Sequence, residues 1–405
     1  MNIMTRPAAG GAAATLNGPG FETSVGALRN ALAFVLPAVP RRPAMPVLQT
    51  VQIRATRRAG RVRLAGTDLD LAAACTIDAR VGAGFTALLP ARPLEAALKA
   101  LDRMAPVAIT VHHEDGFDWP RRAELVCGPV RYELTHLIDP GDFPRRDDAG
   151  FTGAVEIGED FETALRFAAD AASTEETRYY LNGVCLDQRE DEVQLVATQG
   201  QSLKLARLPG VTGYPKGRPI IPNAAVKRLL SLLAGDGAAT LDVMLGAVRE
   251  YAELMRVRSK DERREIVFKL IDGTYPDFDR VIPGAEAGKF GFSCERVALR
   301  LALKQAGALM AVSGARVVGT RFDIAPDAVA LRAVDCESGR AHTRIEGAEA
   351  IGEGAVGFNA RLFEAVLDHA PPGPVRVVTG GAAEPCRVTW PQDETRLAVI
   401  MPLRV

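Results

Sequence analysis

Few residues in this chain have the types and spacing that catalysis needs. His112 and His113 precede Glu114 and Asp115, four groups able in principle to hold a metal. Adjacent side chains on an extended chain point to opposite faces, so the run reads better as an exposed turn. Asp68 and Asp70 in GTDLD are spaced like a general acid and base. Two acids flanking a leucine at a strand end are more often solvated turn residues. There is no GxxxxGK[ST] phosphate loop, no GxGxxG after a strand, no GxSxG elbow and no HExxH, so neither an NTPase nor a hydrolase has an anchor. The six cysteines, Cys75, Cys127, Cys185, Cys294, Cys336 and Cys386, are widely scattered without a CxxC, which fits a reducing compartment. We expect no enzyme activity, no metal and no other cofactor.

Contact with phosphates is the second chemistry to weigh. Lys and Arg number 49 against 50 Asp and Glu, so attraction to a polyanion must come from where charges sit. Arg92, Lys99 and Arg103 accompany one amphipathic segment, Lys227 and Arg228 a second and Arg361 a third, while Arg29, Arg166, Arg300 and Lys304 lie on others. Glu95, Asp102 and Glu364 intermix with them, so an ordinary solvated face competes with a phosphate-facing one. Contacts of the second kind would be salt-sensitive and blind to base sequence. Arg178, Tyr179 and Tyr180 form an RYY run able to stack on bases; on an extended chain one tyrosine would be buried and the other free. The ending AVIMPLRV carries Pro402 near its edge, as a docked terminus or one wall of a groove.

The elements that must position these groups repeat. Leu94, Ala97, Leu98 and Leu101 form an i, i+3, i+4, i+7 stripe, and the same stripe returns at Val226, Leu229, Leu230 and Leu233 and at Phe363, Val366, Leu367 and Ala370. Pro90, Pro222 and Asn359 mark the three starts. An earlier helix, Leu28, Ala31, Leu32 and Val35, maps onto Phe161, Ala164, Leu165 and Ala168, with a less regular counterpart near Val297 to Leu309. VRLAGTDLDLAAA (62–74) returns as VQLVATQGQSLKLA (193–206) and faintly as VALRAVDCESGRAHTRI (329–345). A period near 135 residues is too long for a solenoid and fills the 405 residues three times. We expect an α+β protein of three similar domains, 21–149, 150–285 and 286–405, each with two helices packed on antiparallel sheet. Residues 1–20 read as a disordered tail without a signal peptide's apolar core, and no apolar run approaches the roughly 20 residues of a membrane span. A cytoplasmic location without membrane contact follows as an expectation.

TRYYLNGVCLD (177–187), RRPAMPVL (41–48), GTDLDL (66–71), IIPNAAVKRLL (220–230), LIDGTYPDFDRVIP (270–283) and VIMPLRV (399–405) together resemble the bacterial DNA polymerase III beta subunit, the sliding clamp, from about residue 22 to Val405. The resemblance implies a non-catalytic ring of two head-to-tail subunits around duplex DNA, each subunit half of the circle, with Arg42, Tyr179 and Tyr180 approaching the DNA. It also implies a groove between the second and third domains for short peptides of polymerases and the clamp loader. Matching groove positions are Leu181, Thr198, Gly200, Leu203, Pro276, Arg280, Val281, Val399, Met401, Pro402, Leu403 and Arg404. Gln201 and Ser202 stand where the family commonly has His and Arg, which should alter peptide preference. The charged stretch 249–267 is longer than usual and reads as an extended solvated hairpin or loop. These departures keep two alternatives in view: a specialised clamp for repair or mobile-element polymerases, and a peptide-binding scaffold that no longer loads on DNA.

Overall fold

The apolar stripes become six α-helices among the residues that the computed structural model describes: 18–145, 150–214, 217–245, 252–312, 317–335 and 339–404. Helix α1 (Val25–Val35) starts at Ser24, whose hydroxyl accepts the Ala27 N–H at 3.1 Å, and it buries Leu28, Ala31, Leu32 and Val35. Helix α2 (Ala91–Lys99) buries Leu94, Ala97 and Leu98. Helix α3 (Glu159–Ala169) has three acids in its first turn and Arg166 in its last, matching the helix dipole. Helix α4 (Asn223–Asp236) ends at Gly237, whose φ of 70° and N–H bond to the Leu233 carbonyl form a left-handed cap. Helices α5 (Arg296–Val312) and α6 (Ala360–Leu367) complete the set. Pro90 and Pro222 stand one residue ahead of their helices, at the cap. Helix α5 buries a regular stripe, Leu299, Ala302, Leu303 and Ala306, which the sequence obscures because the apolar Val297 and Leu301 are 72% and 52% exposed.

Two compact units emerge, one of residues 1–150 with 256–268, the other of 151–255 with 269–405. In the first, α1 and α2 pack together beside an antiparallel five-stranded sheet ordered Arg80–Val81, Gly20–Ser24, Pro106–His112, Arg122–Cys127 and Val130–Thr135. A second antiparallel run is ordered Arg264–Lys269, Leu71–Asp78, Arg61–Thr67, Thr50–Thr56 and Phe85–Pro90. The core joins α1, α2 and both sheets through Phe21, Leu32, Val51, Leu64, Leu98 and Ile109, all nearly inaccessible. Gly20 already opens a strand, so order begins ahead of residue 21; residues 1–17 of the expected tail lie outside the described residues.

The charged stretch is a hairpin, Ala252–Ser259 and Arg264–Lys269, yet it is not solvated. Met255, Val257, Ile266, Val267 and Phe268 are buried, and the second strand pairs with Leu71–Asp78. In the first strand buried Met255, Val257 and Ser259 alternate with half-buried Arg256 and Arg258, whereas the second buries Ile266, Val267 and Phe268 in a row and is covered on both faces; residues 249–251 of the stretch lie outside the described residues.

In the second unit, α3–α6 cover a nine-stranded sheet and a four-stranded sheet. The nine strands run Ile220–Pro222, Gly183–Gln188, Glu192–Thr198, Ser202–Pro209, Asp393–Ile400, Cys386–Trp390, Pro374–Thr379, Phe290–Glu295 and Glu349–Ile351. The seam between second and third sequence repeats lies within this sheet, where Leu203 opposes Val399 and Leu205 opposes Leu397. The four strands run Gly339–Arg344, Ala328–Asp335, Gly319–Ala325 and Gly354–Asn359. No helix among the described residues is long and apolar enough to cross a membrane.

Candidate binding groove

At the end of that seam a cavity of about 290 Å³ opens in the second unit. Four pieces of chain meet there. The first is the turn joining Glu192–Thr198 to Ser202–Pro209, which is held internally. The Thr198 hydroxyl accepts the Gly200 N–H at 3.1 Å and donates to the Ser202 carbonyl at 2.7 Å, and Gln199 Oε1 accepts the Gln201 N–H at 3.0 Å. Gly200 has φ 94°, and a Cβ there would lie 2.7 Å from Arg178 Nη1, so this position needs glycine. The second piece is the 3₁₀ segment Glu176–Leu181, kinked at Arg178 (φ −120°, ψ 49°). The third is Pro276 with the 3₁₀ turn Phe278–Val281. Chain from the last strand closes the site: Met401 donates its N–H to the Gln201 carbonyl at 2.8 Å, and Leu403 donates to the Gly357 carbonyl at 2.7 Å.

Leu181, Thr198, Gly200, Gln201, Ser202, Leu203, Pro276, Val281, Val399 and Met401, all expected in a groove, do line this cavity. Arg280 does not. Its side chain is 84% exposed and pairs with Asp277 at 2.8 Å. Pro402 and Leu403 are half-buried and Arg404 exposed, all outside the lining. The sequence reading left Asp277 and Phe278 out of the groove, as it did Arg178 and Tyr180, which it assigned to DNA contact; all four line the cavity. Arg178 gives Nε and Nη2 to Glu175 Oε2 at 2.9 and 2.6 Å and leaves Nη1 over Gly200. Tyr180 is half-buried against Gly273, and Tyr179 is 54% exposed, its ring edge-on to Tyr180. With Gln201 exposed and Ser202 buried, Arg178 is the cation of the lining. Such a site, largely apolar with one guanidinium, suits a short partly apolar peptide.

The basic residues divide into paired and unpaired ones. Arg92 and Lys99 both hold Glu95, at 3.0 and 2.6 Å. The Lys99 hydrogen bond, with Arg92 helping, keeps the Glu95 carboxyl below the usual range. Arg103 bonds Asn30 at 2.8 Å and Arg300 pairs with Asp368 at 2.7 Å. Arg42, Lys227 and Lys304 are exposed with no ion pair among the described residues. The two sets first considered for catalysis are turns. Asp68 Oδ1 accepts the Asp70 and Leu71 N–H groups at 3.0 and 2.7 Å, and His113 to Asp115 follow the strand that ends at His112. No three His, Cys, Asp or Glu side chains among the described residues converge as a metal site requires.

Repeated helix pairs on antiparallel sheet, with a ligand cavity at a seam between repeats, define a clamp-type binding architecture. Residues 21–146 match the N-terminal domain, and 158–277 the central domain, of the DNA polymerase III beta subunit. A beta sliding clamp from Caulobacter vibrioides is 27% identical over 390 residues, covering 94% of this chain and 98% of that protein. The solved Caulobacter crescentus clamp superposes with a TM-score of 0.85 at 25% identity, covering 96% of this chain and 99% of that one. A Bartonella birtlesii clamp bound to griselimycin has a TM-score of 0.85 at 24% identity, with 96% and 100% covered. The chain belongs to the DNA polymerase III beta subunit family, the bacterial beta sliding clamps.

Proposed function

We propose that this chain is a cytoplasmic, non-catalytic sliding clamp of three similar domains, two copies of which close head to tail around duplex DNA and tether polymerases and the clamp loader through the seam groove. The cavity at the Leu203–Val399 seam carries the tethering half of this reading, because it is apolar, open and bordered by backbone groups. Ring closure is supported by two sheet edges. Val130–Thr135 ends the five-stranded sheet of the first unit and Gly339–Arg344 ends the four-stranded sheet of the second. An edge strand presents unpaired N–H and C=O groups, and pairing two unlike edges head to tail is a heterologous contact that closes when the rotation allows. Once closed, topology retains the DNA, so a net charge of −1 is no obstacle. The bound polymerase gains effective concentration. The glutamine and serine at 201 and 202, which leave Arg178 as the lining cation, favour a second form of this reading: a specialised clamp whose partners differ from those of a main replicative one.

Light scattering should give twice the chain mass, and the protein should stay on nicked circular DNA and leave when that DNA is cut. Reversing Lys227 and Lys304 to glutamate should make retention less salt-dependent, each lost phosphate contact removing about 0.9 from the slope of log K against log salt. A monomer at micromolar concentration with equal retention on linear and circular DNA would refute the ring and leave the peptide scaffold. For the groove, Val281 and Met401 are exposed enough to change without unfolding the chain. Val281→Asp with Met401→Asp should weaken griselimycin binding, read by calorimetry, tenfold or more, at least about 1.4 kcal/mol. Unaltered affinity would place the ligand elsewhere.

A further inference from the structure

Beside the groove, but outside its lining, two arginines and two aspartates form a compact cluster. Asp187, buried on strand Gly183–Gln188, receives Arg189 Nε at 3.1 Å, while Arg218 Nε lies 3.2 Å from its other oxygen. Arg189 Nη2 reaches on to Asp279 Oδ2 at 2.7 Å. Burial pulls the Arg189 guanidinium down, yet the bonds and charges of Asp279 and Asp187 outweigh it and leave it raised. Both guanidinium carbons also lie over the Phe278 ring, 5.6 Å from its centroid for Arg189 and 5.1 Å for Arg218. Phe278 lines the cavity and packs into the cluster of Leu181, Leu203, Tyr275 and Val399.

The turn that carries Phe278 and Val281 has little of its own to hold it. It has no side-chain cap, its closing bond from the Ile282 N–H to the Asp279 carbonyl is 3.4 Å long, and its own ion pair, Arg280 with Asp277 at 2.8 Å, is solvent-exposed and so holds it weakly. We infer that Arg189 and Arg218 are positioning residues for the groove: anchored on Asp187, they grip Asp279 and stack on Phe278, and so fix the turn where Val281 meets a bound peptide. This rests on the groove reading above. The arginines touch no ligand; they act through Phe278 and Asp279. A planar fork that both stacks and bonds two carboxylates is what lysine cannot supply, and a wall already in place lowers the ordering cost of binding.

The test compares the full chain with Asp279→Asn, Asp279→Glu and the pair Arg189→Lys with Arg218→Lys, by griselimycin calorimetry and by hydrogen exchange at Arg280, Val281 and Ile282. Asp279→Asn should weaken griselimycin about tenfold, speed exchange in those three amides and move the melting temperature by no more than about 2 °C. Asp279→Glu should restore most of the affinity and the lysine pair should not. Unchanged affinity in Asp279→Asn, or weaker affinity with unchanged exchange, overturns the inference, the second because Asp279 would then meet the ligand itself. Should the native chain bind no griselimycin, the groove reading falls separately, and exchange alone decides whether Asp279 holds the turn.

Discussion

Lys204→Ala is expected to destabilise the second unit by about 3–5 kcal/mol, from the cavity its buried stem leaves and the bonds its ammonium loses. Lys204 is 1% exposed on strand Ser202–Pro209, and its ammonium donates to Asp170 Oδ2 at 2.8 Å and to the Asp368 carbonyl at 2.7 Å. The third side of the ammonium faces the Phe167 ring, 4.7 Å away, and that ring in turn meets Trp390 edge-on at 5.4 Å. One side chain thus joins the end of α3 in the second repeat to the end of α6 in the third. His369 Nδ1 lies 3.0 Å from the same Asp170 oxygen. For a unit of this size the loss corresponds to a melting temperature lower by roughly 6–20 °C, readable by scanning calorimetry. Lys204→Met with Asp170→Asn removes both charges and should recover most of the loss, since an apolar replacement of a buried pair is often neutral. A single Lys204→Ala variant that melts with the native chain would show that the ammonium contributes nothing net.

The six helices were legible because each shows its buried stripe at the 3.6-residue period. Lys204 was not. In QSLKLA it alternates with Leu203 and Leu205, the pattern of a strand with one wet face, and nothing local shows that α3 and α6 cover the second face. The RYY run divided as its sequence suggested, with Tyr180 packed and Tyr179 free. Read as extended chain it puts Arg178 and Tyr180 on one side and Tyr179 on the other, and the kinked 3₁₀ segment keeps that division, with the first two at the cavity and Tyr179 outside its lining. Ten of the groove positions implied by the family resemblance lie in the cavity lining, among them Leu181, Thr198, Leu203, Pro276, Val281 and Met401. Arg280, which turns to Asp277, and the end of the chain from Pro402 to Arg404 lie outside that lining. The clamp on Phe278 was invisible because Asp187, Arg189, Arg218 and Asp279 come together only once strand and turn are folded.

The second large effect is a steep loss of stability above pH 9. Burial pushes the thiols of Cys294 and Cys386 from 9.0 up to about 12 and that of Cys185 higher still, with the Asp187 and Glu295 charges adding to the rise at Cys185 and Cys294. Burial also raises the hydroxyls of Tyr214 and Tyr275 from 10.0. For such acids the unfolded chain loses its proton first. Between pH 9 and 12 the native state therefore binds more protons than the unfolded state, and stability falls as pH rises. Each thiol contributes about 1.4 kcal/mol per pH unit, so three give about 4 kcal/mol per unit, with the tyrosines adding above pH 10. Lys204 works the other way: burial lowers it from 10.5 despite Asp170, so the unfolded chain holds that proton longer and stability gains as pH climbs toward 10.5. One ammonium does not offset three thiols. Against a net stability of roughly 5–15 kcal/mol, the second unit should unfold near pH 11 to 12. Urea midpoints at pH 8, 9, 10 and 11 will read the slope, and Cys294→Ala with Cys386→Ala should remove about two thirds of the thiol share. A midpoint that stays level from pH 8 to 11 would mean the thiols ionise in place, and that the strands around them admit water.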